Sequence, residues 1–160
     1  MSARIVAERT RLAALLAERR ARGARIALAN GCFDLLHVGH VRLVAEASRR
    51  AEVLVVALNG DASVRRAKGE GRPWVPLPER MEVMAALAGI DFVTCFDEPT
   101  ADALIEALRP DFLVKGTDRD PTTIPEAGTL AACGGRVLIC GDPKEHSSSA
   151  LGRRHSGGGS

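Results

Sequence analysis

A single doubly wound α/β domain built on a parallel, five-stranded sheet is what this sequence predicts, from three observations. Short apolar runs without polar alternation recur at residues 26–29, 53–58, 92–96, 112–115 and 136–140, the mark of strands buried on both faces. Segments of helical character lie between them, and strands alternating with helices specify parallel pairing through right-handed crossovers. The 160 residues, 46% of them hydrophobic, suffice to bury one core and are few for two.

The first element is a helix. Leu12, Leu15 and Leu16 recur at helical spacing among the charges of residues 8–20, within an N-terminal extension expected over residues 1–23. The main domain is expected over residues 24–152. Its strand at 26–29 leads into a helix at 41–50, the strand at 53–58 into one at 78–88, the strand at 92–96 into one at 100–108, and the strand at 112–115 into one at 126–133. The strand at 136–140 completes the sheet. Residues 153–160, rich in Gly and Ser, read as a flexible tail.

Composition narrows the function. With 22 basic and 20 acidic side chains the formal net charge is +2, too weak a field to require a nucleic acid. One Trp, four Phe and no Tyr leave few platforms for stacking bases. Arg19, Arg20, Arg22 and Arg25 form the densest basic run and read as a solvated helix end. Cys32, Cys95, Cys133 and Cys140 contain no CxxC pair, so neither a disulfide framework nor a zinc site is expected. No apolar run approaches the ~18 residues of a membrane span, and the N-terminus lacks a signal-peptide core. A cytoplasmic protein without membrane or nucleic-acid partners is the expectation.

In a doubly wound sheet, ligands bind beyond the carboxyl ends of the strands. Here the segments at 30–40, 59–73, 97–100, 116–125 and 141–149 concentrate Gly, Asp, Lys, His and Ser. The most informative is Asn30-Gly31-Cys32-Phe33-Asp34-Leu35-Leu36-His37-Val38-Gly39-His40, between the strand at 26–29 and the helix that follows. A helix N-terminus presents unpaired N–H groups and a positive dipole end, worth about 0.3–1 kcal/mol to an ordinary surface anion. Gly39 lets the backbone approach a phosphate, and His37 and His40, three apart on the first turn, add directed donors toward the same oxygen cluster. A triphosphate cradle is the chemical reading. Zinc fits less well, because helix-spaced zinc histidines prefer i, i+4 and need a third ligand that no nearby Cys or Glu supplies.

This HxGH stretch, residues 31–40, resembles the signature of the cytidylyltransferase-like nucleotidyltransferases. Further runs look like those of the bacterial heptose 1-phosphate adenylyltransferases: Leu58-Asn59-Gly60-Asp61-Ala62-Ser63-Val64, Lys68-Gly69, Arg72-Pro73, Pro78-Glu79-Arg80-Met81 and Leu113-Val114-Lys115-Gly116-Thr117-Asp118. The resemblance covers residues 24–151 and includes Gly134-Gly135 before the last strand. It departs from the pattern at three places. Cys32 stands where Val or Thr is usual, Gly116-Thr117-Asp118 replaces Gly-Gly-Asp, and Ser147-Ser148-Ser149 replaces Ser-Thr-Thr while keeping its hydroxyls.

The resemblance implies a Rossmann-like fold and in-line attack by the phosphate oxygen of a sugar 1-phosphate on the α-phosphorus of ATP, with pyrophosphate leaving. It implies catalytic roles for His37, His40 and Lys115. It implies a nucleotide site of Asn30, Gly31, Cys32, Phe33, His37, Gly39, His40, Lys68, Arg80, Lys115, Gly116, Ser147 and Ser148, with substrate contacts from Asp34, Asn59, Asp61, Arg72 and Asp118. Mg2+ is the implied cofactor, held by phosphates and water rather than by a protein ligand set, and a homodimer or larger homo-oligomer is the implied assembly.

Some of these residues carry a second reading. Lys115 ends an apolar run and so needs an anionic partner, Asp118 or a ligand phosphate. Asp34 also suits a turn cap and Asp61 a helix cap. For the chain as a whole, the alternatives are a glycerol-3-phosphate-type cytidylyltransferase using CTP and a non-catalytic nucleotide sensor. Lys144 and His146, where an Arg-Thr pair belongs, argue against the first; both histidines, Lys115 and the terminal hydroxyls argue against the second.

Transfer of this kind asks a protein mainly to position reactants and stabilise charge. His40→Ala is therefore expected to slow pyrophosphate release by roughly two to three orders of magnitude, while nucleotide affinity measured by titration calorimetry falls less.

Overall fold

The apolar runs become adjacent parallel strands. In the computed structural model, which describes residues 2–142, the sheet comprises β1 (Arg4–Ile5), β2 (Ile26–Gly31), β3 (Val53–Asn59), β4 (Phe92–Phe96), β5 (Phe112–Gly116) and β6 (Arg136–Cys140). Their order is β1-β4-β3-β2-β5-β6, every pair parallel. The chain builds from β2 through β3 to β4 in one direction, then crosses back to lay β5 on the other side of β2, so strand order reverses between β2 and β5. The helices are α1 (Arg9–Ala21), α2 (Val38–Ala47), α3 (Asp61–Lys68), α4 (Leu77–Ala85), α5 (Asp102–Leu108) and α6 (Ala127–Ala132).

Side chains alternate across each strand, and here both faces are dry. Ile26, Leu28, Val53, Val55 and Leu113 meet Leu12 and Leu16 of α1, Leu104 and Ile105 of α5, and Leu130 of α6. Ala27, Ala29, Leu54, Val56 and Val114 face the other way, against Val44 and Ala47 of α2 and Met81 and Met84 of α4. With helices covering both faces, polar groups gather at the strand ends, with Thr94 at the centre of β4 the buried exception.

The architecture departs from the expectation in three details. The sheet has six strands rather than five, because β1 pairs with β4, Arg4 opposite Phe92 and Ile5 opposite Val93. A two-residue strand carries no periodicity to read. The helix expected in residues 1–23 forms as α1 but belongs to the main core, with Leu12 and Leu16 wholly buried. Arg20, read as solvated, donates to the Leu108 and Arg109 carbonyls at 3.1 and 2.8 Å, satisfying the C-terminal end of α5. Finally, α3 occupies residues read as loop, since Asp61-Ala62-Ser63-Val64-Arg65-Arg66-Ala67-Lys68 buries only Ser63 and Val64. Among the described residues no helix is long and apolar enough to cross a membrane.

The turn between α6 and β6 brings a glycine close against backbone. A Cβ on Gly135 would lie 2.4 Å from the Pro110 carbonyl oxygen and 2.6 Å from Leu130 Cδ1, whereas one on Gly128, inside α6, would meet nothing. Gly135→Ala is expected to cost about 1–3 kcal/mol, lowering Tm by roughly several degrees in a chain of this size. Gly128→Ala gains helix propensity and holds or raises Tm. Thermal unfolding followed by circular dichroism reads both.

Candidate active site

Beyond β2 the chain turns through Phe33, whose φ of 46° is left-handed, and α2 begins with His37 as its N-cap. His37 Nδ1 accepts the Gly39 N–H at 3.2 Å, and His40 Nδ1 accepts the His37 N–H at 3.4 Å. This is a capping box made of two imidazoles. Because each Nδ1 accepts, each neutral ring carries its proton on Nε2, the nitrogen farther from the backbone. The rings stack with centroids 3.8 Å apart and planes inclined by 27°, and Phe33 tilts against His40 at 5.1 Å. A Cβ on Gly39 would come within 2.9 Å of the His37 ring, so the motif's own folding demands the glycine. The result is two N–H donors side by side at the positive end of a helix.

Four residues expected to touch nucleotide or substrate are joined to one another and to loop backbone. Asp34 is 3% exposed and accepts from Arg72 Nε at 2.7 Å, the Trp74 N–H at 2.9 Å and the Val75 N–H at 3.0 Å. Burial by itself raises its carboxyl, but the Val75 and Trp74 amides and the Arg72 guanidinium outweigh that and hold it below the ordinary carboxylate range. Arg72 also stacks on Trp74, 3.7 Å from the ring centroid.

Arg80 is 1% exposed. Its Nε donates to Val75 O at 2.9 Å, its Nη1 to Cys32 O at 2.6 Å and Asn59 O at 2.9 Å, and its Nη2 to Asp61 Oδ1 at 2.7 Å. Asp61 Oδ1 accepts the Leu77 N–H at 3.0 Å as well, so Asp61 caps α4. One planar fork thereby ties the ends of β2 and β3 to the start of α4.

On the face away from α2, a cleft of about 610 Å³ opens over the carboxyl ends of β2, β3, β4 and β5. Strand alternation puts Asn30, Asn59 and Lys115 on this face, in phase with Leu28, Ala57 and Leu113. The register pairing Ala29 with Val114 brings Asn30 beside Lys115, whose Nζ donates to Asn30 Oδ1 at 2.8 Å. The same Nζ lies 3.4 Å from Glu126 Oε2. Glu126 is thus an anionic partner of Lys115 that the sequence reading, which named Asp118 or a ligand phosphate, did not include. Burial pulls the ammonium below the ordinary lysine value, and the Glu126 carboxylate offsets part of that.

The sequence-predicted residues therefore fall into groups. Asn30, Gly31, Cys32, Asn59, Lys68 and Lys115 line the cleft. Phe33, His37, Gly39 and His40 gather at the start of α2, and Asp34, Arg72, Asp61 and Arg80 form the internal ties. Asp118 folds back over Gly116 at the end of β5, where a Cβ on the glycine would lie 2.8 Å from Asp118 Oδ1. Ser147 and Ser148 lie outside the described residues. Sequence reasoning passed over Glu126, Ser63 and Thr123, all on the cleft wall. An acid directly before a helix reads as an ordinary cap, and only the pairing with a buried lysine sets Glu126 apart.

The profile of the family described as Cytidylyltransferase-like matches residues 28–151. A protein of Alkalilimnicola ehrlichii named Bifunctional protein HldE is 52% identical over 124 residues, covering 78% of this chain and 26% of that protein. One of the same name from Streptomyces coelicolor is 49% identical over 138 residues, 86% of this chain and 30% of that protein. The chain thus spans roughly a quarter to a third of the length of these relatives. Among solved structures, the lipopolysaccharide core biosynthesis protein from Thermoplasma volcanium GSS1 superposes with a TM-score of 0.66 at 20% identity, over 76% of this chain and 100% of that one. That likeness is one of fold.

Removing the Arg80 guanidinium would strand the Asp61 carboxylate and three carbonyls. Arg80→Met is expected to lower stability by about 3–5 kcal/mol in guanidinium chloride unfolding. Arg80→Lys should recover only part, since an ammonium cannot span four acceptors in the geometry of the fork.

Proposed function

The chain belongs to the cytidylyltransferase-like family and is a nucleotidyltransferase, and we propose that it joins ATP to a heptose 1-phosphate, giving ADP-heptose and pyrophosphate for lipopolysaccharide-core or related glycan synthesis. One observation carries the reading. Two polar sites suited to different anions flank the end of β2, the paired imidazoles on the α2 side and the cleft containing Lys115 on the other. The HldE relatives, about half identical over most of this chain, and the motif resemblance support the choice of acceptor.

In the proposed reaction a phosphate oxygen of the sugar 1-phosphate attacks the α-phosphorus of ATP. An O–P bond forms there, the bond from the α-phosphorus to the α,β-bridging oxygen breaks, and that oxygen leaves with pyrophosphate. A phosphate oxygen is already an anionic nucleophile, so the protein's task is to bring two anions together and neutralise charge.

His37 and His40 direct Nε2–H donors at the nucleotide phosphates, strengthened by the helix end on which they stand. Lys115, aimed by Asn30, brings a cation into a poorly solvated site where each charge acts strongly. Lys68, on the cleft wall, is a further cation for the phosphates. Asp34, Arg72, Asp61 and Arg80 act one step back, holding the loops that carry these groups.

Among the described residues no three His, Cys, Asp or Glu side chains are grouped to hold a metal ion. The triphosphate is the proposed carrier of Mg2+, which supplies further charge neutralisation on its oxygens. A cytoplasmic setting, read from the sequence, and a homodimer or larger homo-oligomer, which rests on the family resemblance alone, are part of the same proposal.

The test is pyrophosphate release from heptose 1-phosphate with each of the four nucleoside triphosphates and Mg2+, beside glycerol 3-phosphate as the competing acceptor. Release with ATP and the heptose phosphate is expected. Release with CTP and glycerol 3-phosphate would keep the chemistry and replace the substrate, and no release in any pairing would leave a nucleotide sensor.

A further inference from the structure

The wall of the cleft contains a buried carboxylate for which the reaction as derived has no use. Glu126 is 5% exposed. Its Oε1 receives two long hydrogen bonds, from Asn30 Nδ2 and from the Ala101 N–H, both at 3.4 Å. Its Oε2, 3.4 Å from Lys115 Nζ, has no hydrogen-bond partner. A carboxylate oxygen offers about two lone pairs, and a buried acceptor left without a donor is a standing free-energy cost that a folded chain normally removes.

The ligand group that satisfies this oxygen must donate. A phosphate is excluded by like charge, whereas a hydroxyl fits. Lys115 adds the complementary constraint. Of its three N–H donors, one goes to Asn30, and the ion-pair contact with Glu126 spends none of the others in a hydrogen bond, which leaves donors for a ligand anion. The ammonium and the unsatisfied oxygen thus present a cation and an acceptor 3.4 Å apart. That spacing suits a phosphate oxygen and the hydroxyl on the carbon next to the phosphate-bearing carbon.

Resting on the sugar-phosphate reading above, we propose that Glu126 determines acceptor specificity: its Oε2 takes a hydrogen bond from the sugar hydroxyl adjacent to the phosphate-bearing carbon, while Lys115 holds the phosphate itself. The carboxylate also selects by repulsion, since an acceptor carrying an anionic group at that carbon would meet a buried negative charge. A site that hydrogen-bonds a substrate hydroxyl rejects the analogue lacking it, because the protein's own polar group is then left unpaired.

The experiment compares kcat/KM for a sugar 1-phosphate and its 2-deoxy analogue in the wild-type chain and in Glu126→Gln, with ATP and Mg2+ saturating. The wild type is expected to favour the hydroxylated acceptor by about ten- to hundredfold. In Glu126→Gln that ratio should collapse to within a few fold of unity, with the loss in KM for the sugar phosphate. Affinity for an ATP analogue with a methylene between the α- and β-phosphorus atoms, measured by calorimetry, should stay unchanged. Glu126→Asp, which keeps the charge but withdraws it by one methylene, should give an intermediate ratio and serves if the Gln variant fails to fold.

A wild type indifferent to the hydroxyl, or a ratio that survives both substitutions, overturns the assignment of Glu126. A wild type that transfers no nucleotide to any sugar phosphate overturns the proposed function instead, and the two failures are told apart before any variant is made.

Discussion

Everything at the carboxyl edge of this sheet hangs on one buried guanidinium. Arg80 reaches from α4 to the carbonyls of Cys32 and Asn59, 48 and 21 residues away along the chain, and so fixes where β2 and β3 stop. The histidine motif leaves β2 immediately afterwards, and Asn59, at the end of β3, lines the cleft and donates to Ser63 Oγ at 3.2 Å. A buried arginine is tolerable only when acceptors surround it, and here three carbonyls and one carboxylate take four of its five N–H groups. Asp34 works the same way from the other direction, a buried anion that gathers the backbone of Trp74 and Val75 toward the histidine loop.

With the loops pinned, the sheet itself sorts the chemistry. Because helices shield both faces, nearly all polar side chains of the sheet emerge at strand ends, buried Thr94 in β4 apart, and strand alternation decides on which face they emerge. Asn30, Asn59 and Lys115 share the phase of the α1, α5 and α6 face, while α2 carries its imidazoles on the other. The reversal of strand order between β2 and β5 opens the gap at which the two sets approach. A positional accident of two-residue periodicity thus becomes a division between two groups of polar side chains at the edge where such sheets bind ligands.

Much of this was legible in the sequence, for identifiable reasons. Dry strands such as Val53–Asn59 announce themselves by lacking alternation, and a motif with two histidines and a glycine before a helix has few other uses. What the sequence hid was decided by contacts distant along the chain. Arg80 reads as a nucleotide contact, and the carbonyls of Cys32, Asn59 and Val75 that enclose it come from segments the sequence does not connect to it. Glu126 reads as a cap until Lys115 is found beside it. Asp34 and Arg72 read as substrate contacts through the family resemblance, and only their mutual geometry shows them bound to each other. The short β1 and the polar α3 escaped because neither carries enough apolar residues to set a period.

The shortness of β1 bears on how these molecules behave in a crowded solution. Without it, β4 would be the border of the sheet, and Phe92-Val93-Thr94-Cys95-Phe96 is an uncharged, aromatic-rich segment of the type that recruits a second chain into a shared ladder. A two-residue strand beginning with Arg4 covers that segment and offers a newcomer little to pair with. The first few residues therefore protect colloidal stability more than they build the core, and a chain trimmed at Val6 would betray the loss as precipitation at high concentration while dilute samples still unfolded cooperatively.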